Sequence, residues 1–300
     1  MKLALTGATG FVGSHVLDLA LDEGHGVRAL TRREQAPRAG VEWVRGDLDD
    51  REALARLVEG TDAVIHIAGV VGATSADAFE RGNVAGTRHM VEASKQAAIP
   101  RFVHVSSLAA REPELSLYCG SKFRGEEAVK ASALGWTVVR PPAVYGPRDT
   151  EMFELFRAAG KGLVPVPARG ATSVIHVRDL ARLLLDLAGS RPDRAIYEPD
   201  DGRAGGWGHS ELGAAIAAAV GRKARVIGVS PTTMKLGTRL DRLFRGEKAK
   251  LTPDRAAYIA HPNWVSREAA RPPAALWQPQ IATEDGLRQT ADWYRAEGWL

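Results

Sequence analysis

Three polar side chains in the middle of the chain have the types and spacing needed for acid–base chemistry. Tyr118 and Lys122 are four residues apart, so on a helix their side chains share one face. A phenol has a reference pKa of about 10, and a neighbouring ammonium favours the phenolate and lowers that pKa. Ser107 follows an apolar run typical of a strand. We expect Tyr118 to exchange a proton with a substrate oxygen that Ser107 orients, and Ser106 is the alternative because the strand end is defined only to within a residue.

A glycine-rich turn stands near the start of the chain, between an apolar run and a helical pattern. Glycines occupy positions 7, 10 and 13 after the run Lys2–Thr6. This spacing permits a tight turn and lets the backbone approach a pyrophosphate, whose charge meets the N-terminal end of the helix. A strand–turn–helix connection without a ligand is the plainer alternative. We expect a dinucleotide to contact Gly7, Thr9, Gly10, Phe11, Val12 and Gly13.

The end of the second predicted strand bears on the choice of dinucleotide. A carboxylate at this position would bind the ribose 2′-hydroxyl of NAD. The sequence instead has Arg32 and Arg33, and two guanidinium groups suit a 2′-phosphate. NADP(H) is therefore favoured over NAD(H), although a solvated arginine pair is an alternative. Further cofactor contacts are expected after the third and fourth strands, at Asp47, Leu48, Ala68 and Gly69.

Short β-rich runs alternate with amphipathic stretches through the first two thirds of the chain. The predicted strands are 2–6, 26–31, 41–45, 63–68, 101–106 and 136–140, with a further strand over 174–177. The predicted helices are 11–23, 51–58, 79–97, 121–134 and 178–188. Strands this apolar are buried on both faces, and the alternation implies a parallel sheet covered by helices. The predicted fold is α/β, a Rossmann-type doubly wound parallel sheet.

The pattern loosens after Tyr145, where glycine and proline become frequent. We expect a dinucleotide-binding domain over residues 1–145, to which residues 172–190 return. Residues 146–300 are expected to form mainly a smaller, interleaved C-terminal substrate lid. One or two domains are also what a length of 300 residues suggests.

Composition excludes several classes of protein. Residues 1–200 carry a net charge of −1 and residues 201–300 a net charge of +5, but no basic run is interleaved with aromatics, so nucleic acid is not an expected partner. No Cys/His cluster has zinc spacing, so no metal is expected. The chain has no apolar stretch long enough to span a membrane and no signal-peptide pattern. Its single cysteine, Cys119, is compatible with a reducing compartment. We expect a cytoplasmic protein with a small-molecule substrate.

Beyond these local patterns, motifs along nearly the whole chain resemble the extended short-chain dehydrogenase/reductase superfamily, which includes NAD-dependent epimerases and dehydratases. The matching segments are 6–13, 46–48, 65–68, 83–87, 140–147, 175–180 and 293–295, together with the set Ser107, Tyr118 and Lys122. The resemblance implies hydride transfer with Tyr118 as the acid–base group. It implies that Lys122 holds the nicotinamide ribose and that Tyr118, Lys122, Pro141 and Val144 contact the cofactor. Substrate contacts are implied at Ser107 and Ala143, and His176 is expected to face the cleft because its strand should end there.

Two departures bear on the branch of the superfamily. Tyr118 follows Ser107 by only 11 residues, whereas nucleotide-sugar epimerases and dehydratases usually carry a longer insertion there. Those enzymes also have an Asn where this chain has Ala143. The short link resembles the nucleotide-binding accessory subunit of respiratory complex I. The run 140–147 and the Trp-rich tail resemble hydroxysteroid-type reductases, and bacterial ceramide-pathway 3-ketosphinganine reductases are similar in this respect. We expect an NADP(H)-dependent oxidoreductase that reduces a ketone, or oxidises a secondary alcohol, on a hydrophobic or long-chain lipid, for which a 3-keto sphingoid is one candidate. A nucleotide-sugar epimerase or dehydratase, and a non-catalytic cofactor-holding accessory protein, are the alternatives.

One segment near the C-terminal side suggests a surface role. In residues 234–245, leucines and a phenylalanine repeat at helical spacing among lysine and arginine side chains. Such a helix can lie on an anionic bilayer or cover an apolar pocket, and a helix packed on its own domain is the alternative. The expected location is then cytoplasmic and peripheral to the inner membrane. The resemblance also implies a homodimer formed through helices beside the sheet.

Overall fold

The computed structural model describes residues 1–73, 75–245 and 252–300, without the side chains of 239–245. The strands are β1 Lys2–Thr6, β2 Gly26–Thr31, β3 Val41–Arg45, β4 Ala63–His66, β5 Phe102–Val105, β6 Trp136–Val139, β7 Ala143–Tyr145, β8 Leu163–Pro167, β9 Ala171–Thr172, β10 Val174–His176, β11 Ile196–Tyr197, β12 Trp207–Gly208, β13 Arg225–Val229 and β14 Asn263–Trp264. The helices are α1 Phe11–Asp22, α2 Arg51–Val58, α3 Ala76–Phe79, α4 Gly86–Gln96, α5 Leu117–Lys130, α6 Phe153–Gly160, α7 Val177–Gly189, α8 His209–Val220, α9 Pro231–Arg245, α10 Pro253–Ile259 and α11 Thr283–Ala296.

The chain divides into two compact units. The first comprises residues 1–140, 180–198 and 272–277, and the second comprises residues 141–179, 199–271 and 278–300. The first division at residue 140 precedes the expected boundary at residue 145. The segment that returns to the first unit is 180–198 rather than 172–190, and a short piece at 272–277 returns as well.

The first unit is built on a seven-stranded sheet in the order β11-β6-β5-β4-β1-β2-β3. Each pair of neighbours runs parallel. The central strands are buried along their whole length, because helices on either side remove both faces of a parallel sheet from water. This arrangement confirms the predicted Rossmann-type α/β fold.

One apolar core of this unit lies under α2 and α4. The helix α2 begins at Asp50, whose side chain accepts a hydrogen bond from Ala53 N, as expected of an N-cap. Leu54, Leu57 and Met90 are fully buried there against Val138. Burying each such side chain stabilises the fold by about 1.5–3 kcal/mol.

Three elements differ from the sequence-based expectation. The strand expected at 174–177 does not join the main sheet, since β10 pairs with β7 in a separate two-stranded sheet. The edge of the main sheet is instead completed by β11, which pairs with β6. The long helix expected over 79–97 is interrupted by a π-helix at Glu80–Ala85. The helix expected from Ser121 begins at Leu117, because the Ser116 side chain caps it by accepting a hydrogen bond from Cys119 N.

The second unit has its own core. Tyr145, Phe156, Ile216, Leu287 and Tyr294 are fully buried together. They come from β7, α6, α8 and α11. A parallel ribbon of β8 and β13 also belongs to this unit. The segment is therefore a packed body in its own right.

Candidate active site

The glycine turn that joins β1 to α1 is closely packed against neighbouring backbone. Gly7 has φ +79°, a left-handed conformation that glycine adopts without steric cost, and its carbonyl accepts a hydrogen bond from Gly10 N at 2.9 Å. A Cβ at Gly13 would lie 2.0 Å from Gly7 O. A side chain at position 13 would therefore push α1 away from the turn, and one at position 7 would collide with the backbone of Ala68 after β4.

The N-terminus of α1 has the properties of an anion site. Gly10 is its N-cap, no side chain caps it, and its first turn has no acidic residue. By contrast, Asp50 caps α2 and Ser116 caps α5. The first amides of α1 can therefore bind a phosphate together with the helix dipole. These residues fit the pyrophosphate of a dinucleotide.

A hydroxyl bridge fixes the chain segment that leaves β4. Thr6 Oγ1 accepts hydrogen bonds from Ile67 N and Ala68 N, both at 3.1 Å, so its own proton points to His66 Nδ1 at 2.8 Å. His66 Nε2 then donates to Thr87 Oγ1 at 3.2 Å. Burial lowers the pKa of His66 to about 3, with a further contribution from the Lys122 charge. His66 is therefore a neutral structural link that orients the Thr6 hydroxyl, and this hydroxyl holds Ala68 at the end of β4.

Asn83 braces the same segment against the helix that carries Tyr118. Its Oδ1 accepts from Val70 N at 2.7 Å, and its Nδ2 donates to Val70 O at 2.8 Å. The same Nδ2 donates to Ser121 Oγ at 2.8 Å, and Ser121 Oγ donates to Tyr118 O at 2.8 Å. The π-helix carries Asn83, so this local widening of the helix accompanies the contact between the β4 end and α5.

Tyr118 and Lys122 lie on one face of α5 and are both 7% exposed. Lys122 Nζ donates to Val105 O at 2.9 Å, at the end of β5. The same nitrogen lies 3.8 Å from the position that a Cβ would occupy at Gly69. The ends of β4 and β5 and the first turns of α5 thus meet around one ammonium group. Ligands of doubly wound sheets bind at this carboxyl edge.

The two serines after β5 have different environments. Ser106 Oγ donates to Glu126 Oε1 at 2.5 Å inside the core. Ser107 Oγ accepts from Ala109 N at 3.2 Å and caps the 3₁₀ turn Leu108–Arg111. The hydroxyl proton of Ser106 is therefore already used, which makes the alternative assignment to Ser106 less favourable than Ser107. The role of Ser107 in orienting substrate stays a prediction.

A buried charged cluster lies one helical turn beyond Lys122, and sequence reasoning missed it. Glu126, which is fully buried, receives Arg140 Nε at 2.8 Å and Arg140 Nη2 at 2.6 Å. Glu198 is also fully buried and lies 3.3 Å from Arg111 Nη1 and 3.7 Å from Arg140 Nη1. The signal was present, because Tyr118, Lys122 and Glu126 continue one i, i+4 series. The cluster connects α5 with the ends of β6 and β11.

The environment of Lys122 makes its charge sensitive to pH. Burial lowers the pKa of Lys122 to about 8, and the charge of Glu126 opposes this shift. Between about pH 8 and the unfolded value of about 10.4, the unfolded chain binds more protons than the folded one, so stability contributed at this site rises with pH. We expect the free energy of unfolding of the wild type, minus that of Lys122→Met, to increase over this window. Denaturant unfolding at a series of pH values measures it, and a constant difference would contradict the low pKa.

The residues that we expect around the adenosine end of the dinucleotide belong to the first unit and are exposed or partly buried. Arg32 and Arg33 are exposed, and neither forms an ion pair within the described ranges 1–73, 75–245 and 252–300. Asp47 Oδ1 accepts from Asp49 N at 2.9 Å, and Leu48 packs against the core. Their contacts with a cofactor stay predictions.

The remaining predicted site residues lie in the second unit. Pro141, Ala143 and Val144 come just before or within β7, and His176 ends β10, which pairs with β7. His176 is buried, accepts from Arg178 N at 3.2 Å and packs edge-on against Tyr145. Their roles towards cofactor and substrate stay predictions.

Two properties of the described residues concern metal binding and membrane crossing. No group of three or more His, Cys, Asp or Glu side chains in this part of the chain is placed to hold a metal ion. Within the same residues, each helix is too short or too polar to cross a bilayer.

Known proteins resemble the chain over most of its length. The profile of an NAD(P)H-binding family matches residues 7–190. A ceramide reductase of Caulobacter vibrioides is 38% identical over 99% of this chain and 96% of its own. A 2-alkyl-3-oxoalkanoate reductase of Stenotrophomonas maltophilia is 29% identical over 96% of this chain and 98% of its own.

Solved structures share the fold. MoeE5 in complex with UDP-glucose and NAD superposes with a TM-score of 0.77 at 24% identity, covering 99% of both chains. A UDP-glucose 4-epimerase of Thermotoga maritima gives 0.73 at 20% identity over 99% of both chains. At this identity the likeness concerns the fold alone. From the family profile, the relatives and the sheet with its glycine turn, we conclude that the chain belongs to the extended short-chain dehydrogenase/reductase superfamily and is an NAD(P)-dependent oxidoreductase.

Proposed function

We propose that this oxidoreductase uses NADP(H) to reduce a ketone on a hydrophobic or long-chain lipid, of which a 3-keto sphingoid or oxidised ceramide-like molecule is the leading candidate. The observation that carries the proposal is the ammonium of Lys122, held by Val105 O at 2.9 Å one helical turn from Tyr118. A buried ammonium beside a phenol favours the phenolate, which is the property required of a proton donor and acceptor at neutral pH.

The chain's own groups would act on the carbonyl oxygen. When bound, the reduced nicotinamide supplies a hydride to the carbonyl carbon. Tyr118 then gives its phenolic proton to the oxygen, so that C=O becomes CH–OH. Ser107 orients the same oxygen through a hydrogen bond, and Lys122 holds the cofactor ribose and stabilises the phenolate that remains. Alcohol oxidation uses the same groups in reverse.

The substrate class rests on relatives and on the short link between Ser107 and Tyr118. The ceramide reductase and the 2-alkyl-3-oxoalkanoate reductase are named for acyl-chain substrates. A second candidate is a nucleotide-sugar epimerase or dehydratase, which the similarity to a UDP-glucose 4-epimerase fold keeps open. A third is a cofactor-holding accessory protein without turnover, and the intact set Ser107, Tyr118 and Lys122 weighs against it.

A turnover screen separates these candidates. Purified protein with NADPH is incubated with long-chain 3-keto sphingoids, oxidised ceramides, sterol-like ketones and UDP-sugars, and products are identified by mass spectrometry. We expect reduction of the long-chain ketones. Conversion of UDP-sugars alone would establish the second candidate, and dinucleotide binding without any turnover would favour the third.

The preference for NADP(H) predicts a specific loss on substitution. Arg32 and Arg33 have no competing carboxylate within the described part of the chain, so their charges are available to a 2′-phosphate. We expect the double variant Arg32→Ala/Arg33→Ala to bind NADPH about 10–100-fold more weakly and NADH almost unchanged. Titration calorimetry measures both affinities.

The matched control for that titration is Arg56→Ala, which removes another exposed arginine from the same unit. It should leave both affinities unchanged. Tighter binding of NADH than of NADPH by the wild type would refute the preference.

Location and assembly complete the proposal. We infer a cytoplasmic protein that contacts the inner membrane and forms a homodimer. The segment 234–245 belongs to the helix α9, but its side chains from 239 onward lie outside the described residues. The sequence pattern of this segment and the exposed Lys235 and Leu236 of its first turns support membrane contact.

A further inference from the structure

The β8–β13 ribbon of the second unit has an apolar face turned to solvent. Along β8, Val164 and Val166 are buried, whereas Leu163 is 43% exposed and Pro165 is exposed. Along β13, Ile227 is 39% exposed. Because successive strand residues alternate between faces, the ribbon buries one face and exposes the other.

The register of the ribbon brings the exposed residues together. Leu163 pairs with Arg225, Pro165 with Ile227, and Pro167 with Val229. Paired residues of neighbouring strands lie side by side on the same face. Leu163, Pro165 and Ile227 therefore form a small apolar patch with Arg225 at its edge.

A group of exposed cations surrounds the N-terminal ends of the two strands. Lys161 precedes β8, and Arg222 and Lys223 precede β13. Arg225 N donates to Gly162 O at 2.9 Å, which places these two approaches next to each other. In the described part of the chain, none of these four cations takes part in an ion pair. Their positive charge is therefore not neutralised locally.

The sequence explains why the ribbon has no carboxylate of its own to offset this positive charge. There is no Asp or Glu between Glu154 and Asp179, and none between Glu211 and Asp241. A neighbouring acid, Asp292, is paired with Arg295, which also donates to Val220 O at 2.8 Å. The ribbon and its approaches thus form an apolar patch bordered by positive charge.

The helix that follows the ribbon has the same character. In the described first turns of α9, Met234 is buried, whereas Lys235 is exposed and Leu236 is 56% exposed. Apolar and basic side chains therefore face solvent in both neighbouring elements. This combination is typical of proteins that lie on anionic lipid.

We propose that the β8–β13 ribbon, with Lys161, Arg222, Lys223 and Arg225, is a docking surface for an anionic bilayer. The cations bind lipid phosphates, and Leu163 and Ile227 enter the boundary between headgroups and acyl chains. The complementary charge favours anionic lipid over neutral lipid. An acidic protein partner would use the cations but would not require acyl chains. The proposal deepens the membrane contact inferred under the proposed function, and it does not depend on the proposed reaction.

The test is sedimentation of the full chain with vesicles of phosphatidylcholine, with and without phosphatidylglycerol. We expect binding only to the mixed vesicles, weakened by salt. Because each cation near an anionic surface contributes roughly a fivefold gain, the variant Arg222→Glu/Lys223→Glu/Arg225→Glu should bind at least about 100-fold more weakly. The variant Leu163→Ser/Ile227→Ser should also lose binding while keeping its charge.

The matched control reverses three exposed cations of the first unit, Arg51→Glu/Arg56→Glu/Lys95→Glu, with the same change in net charge. It should keep most of the vesicle binding. Dinucleotide affinity and thermal unfolding verify that each variant is folded, whether or not the ketone activity exists. Absence of wild-type binding, equal binding to neutral vesicles, or an equal loss in the control would overturn the proposal. Loss in the charge variant but not in the apolar variant would also overturn the proposed entry of Leu163 and Ile227 into the bilayer, because the contact would then be electrostatic alone.

Discussion

Replacing Tyr118 with phenylalanine is expected to remove ketone reduction while leaving dinucleotide binding intact. The ring remains packed 6.0 Å from Phe79, so the substitution removes only the hydroxyl that would donate the proton. General acid–base catalysis contributes about 10²–10⁴-fold to the rate. The turnover number should therefore fall by at least about 100-fold. The measurement is NADPH oxidation with the best ketone from the screen, together with titration of the cofactor.

The control for this experiment is Tyr258→Phe, which removes a phenol from the second unit. It should keep its activity. Full NADPH-dependent turnover by Tyr118→Phe would refute the acid–base role. A loss of cofactor binding in proportion to activity would show that the hydroxyl acts in binding instead.

Breaking the buried Glu126–Arg140 pair is expected to cause the largest loss of stability. Glu126→Ala leaves the Arg140 guanidinium in the core without its bidentate partner, and it also removes the acceptor of Ser106. Breaking a buried pair from one side costs about 3–5 kcal/mol. Denaturant unfolding measures the difference in the free energy of unfolding.

Two further variants separate charge from mere truncation. Glu127→Ala removes the exposed neighbour of Glu126 and should change stability by less than about 1 kcal/mol. Glu126→Gln keeps an acceptor oxygen and should cost less than Glu126→Ala. An alanine variant as stable as Glu127→Ala would show that water compensates Arg140.

The same pair connects the core to the site, because the charge of Glu126 raises the pKa of Lys122 against the effect of burial. In Glu126→Gln that opposing charge is absent. The pH window over which Lys122 affects stability should then begin below pH 8. A structural role alone would leave this window unchanged.

Local patterns predicted most of the first unit. Most strands from β1 to β6 are short apolar runs, whereas β3 also carries Glu42 and Arg45 and buries only Val44. The spacing of the glycines at 7, 10 and 13 is typical of a turn after the first strand. The spacing of Tyr118 and Lys122 likewise requires only a helix. Such features depend on neighbours within a few residues, so they can be found without knowing the fold.

Features that depend on distant contacts were missed. The strand β11 has two residues, too few to show a period, and its place is set by pairing with β6. The π-helix is accompanied by the contacts of Asn83 with Val70 and Ser121. Glu126 continues the i, i+4 series of Tyr118 and Lys122, but its partner Arg140 is 14 residues away in sequence and is brought to it only by the fold.

The path of the backbone between the two units has a consequence for biosynthesis. The outer neighbour of β6 is supplied by residues 196–197, which follow a long excursion through the second unit. A nascent chain that has emerged only to residue 140 therefore has an open edge at Val138–Val139, and open edges promote aggregation. Truncation after residue 140 is therefore expected to yield a fragment that self-associates through this edge.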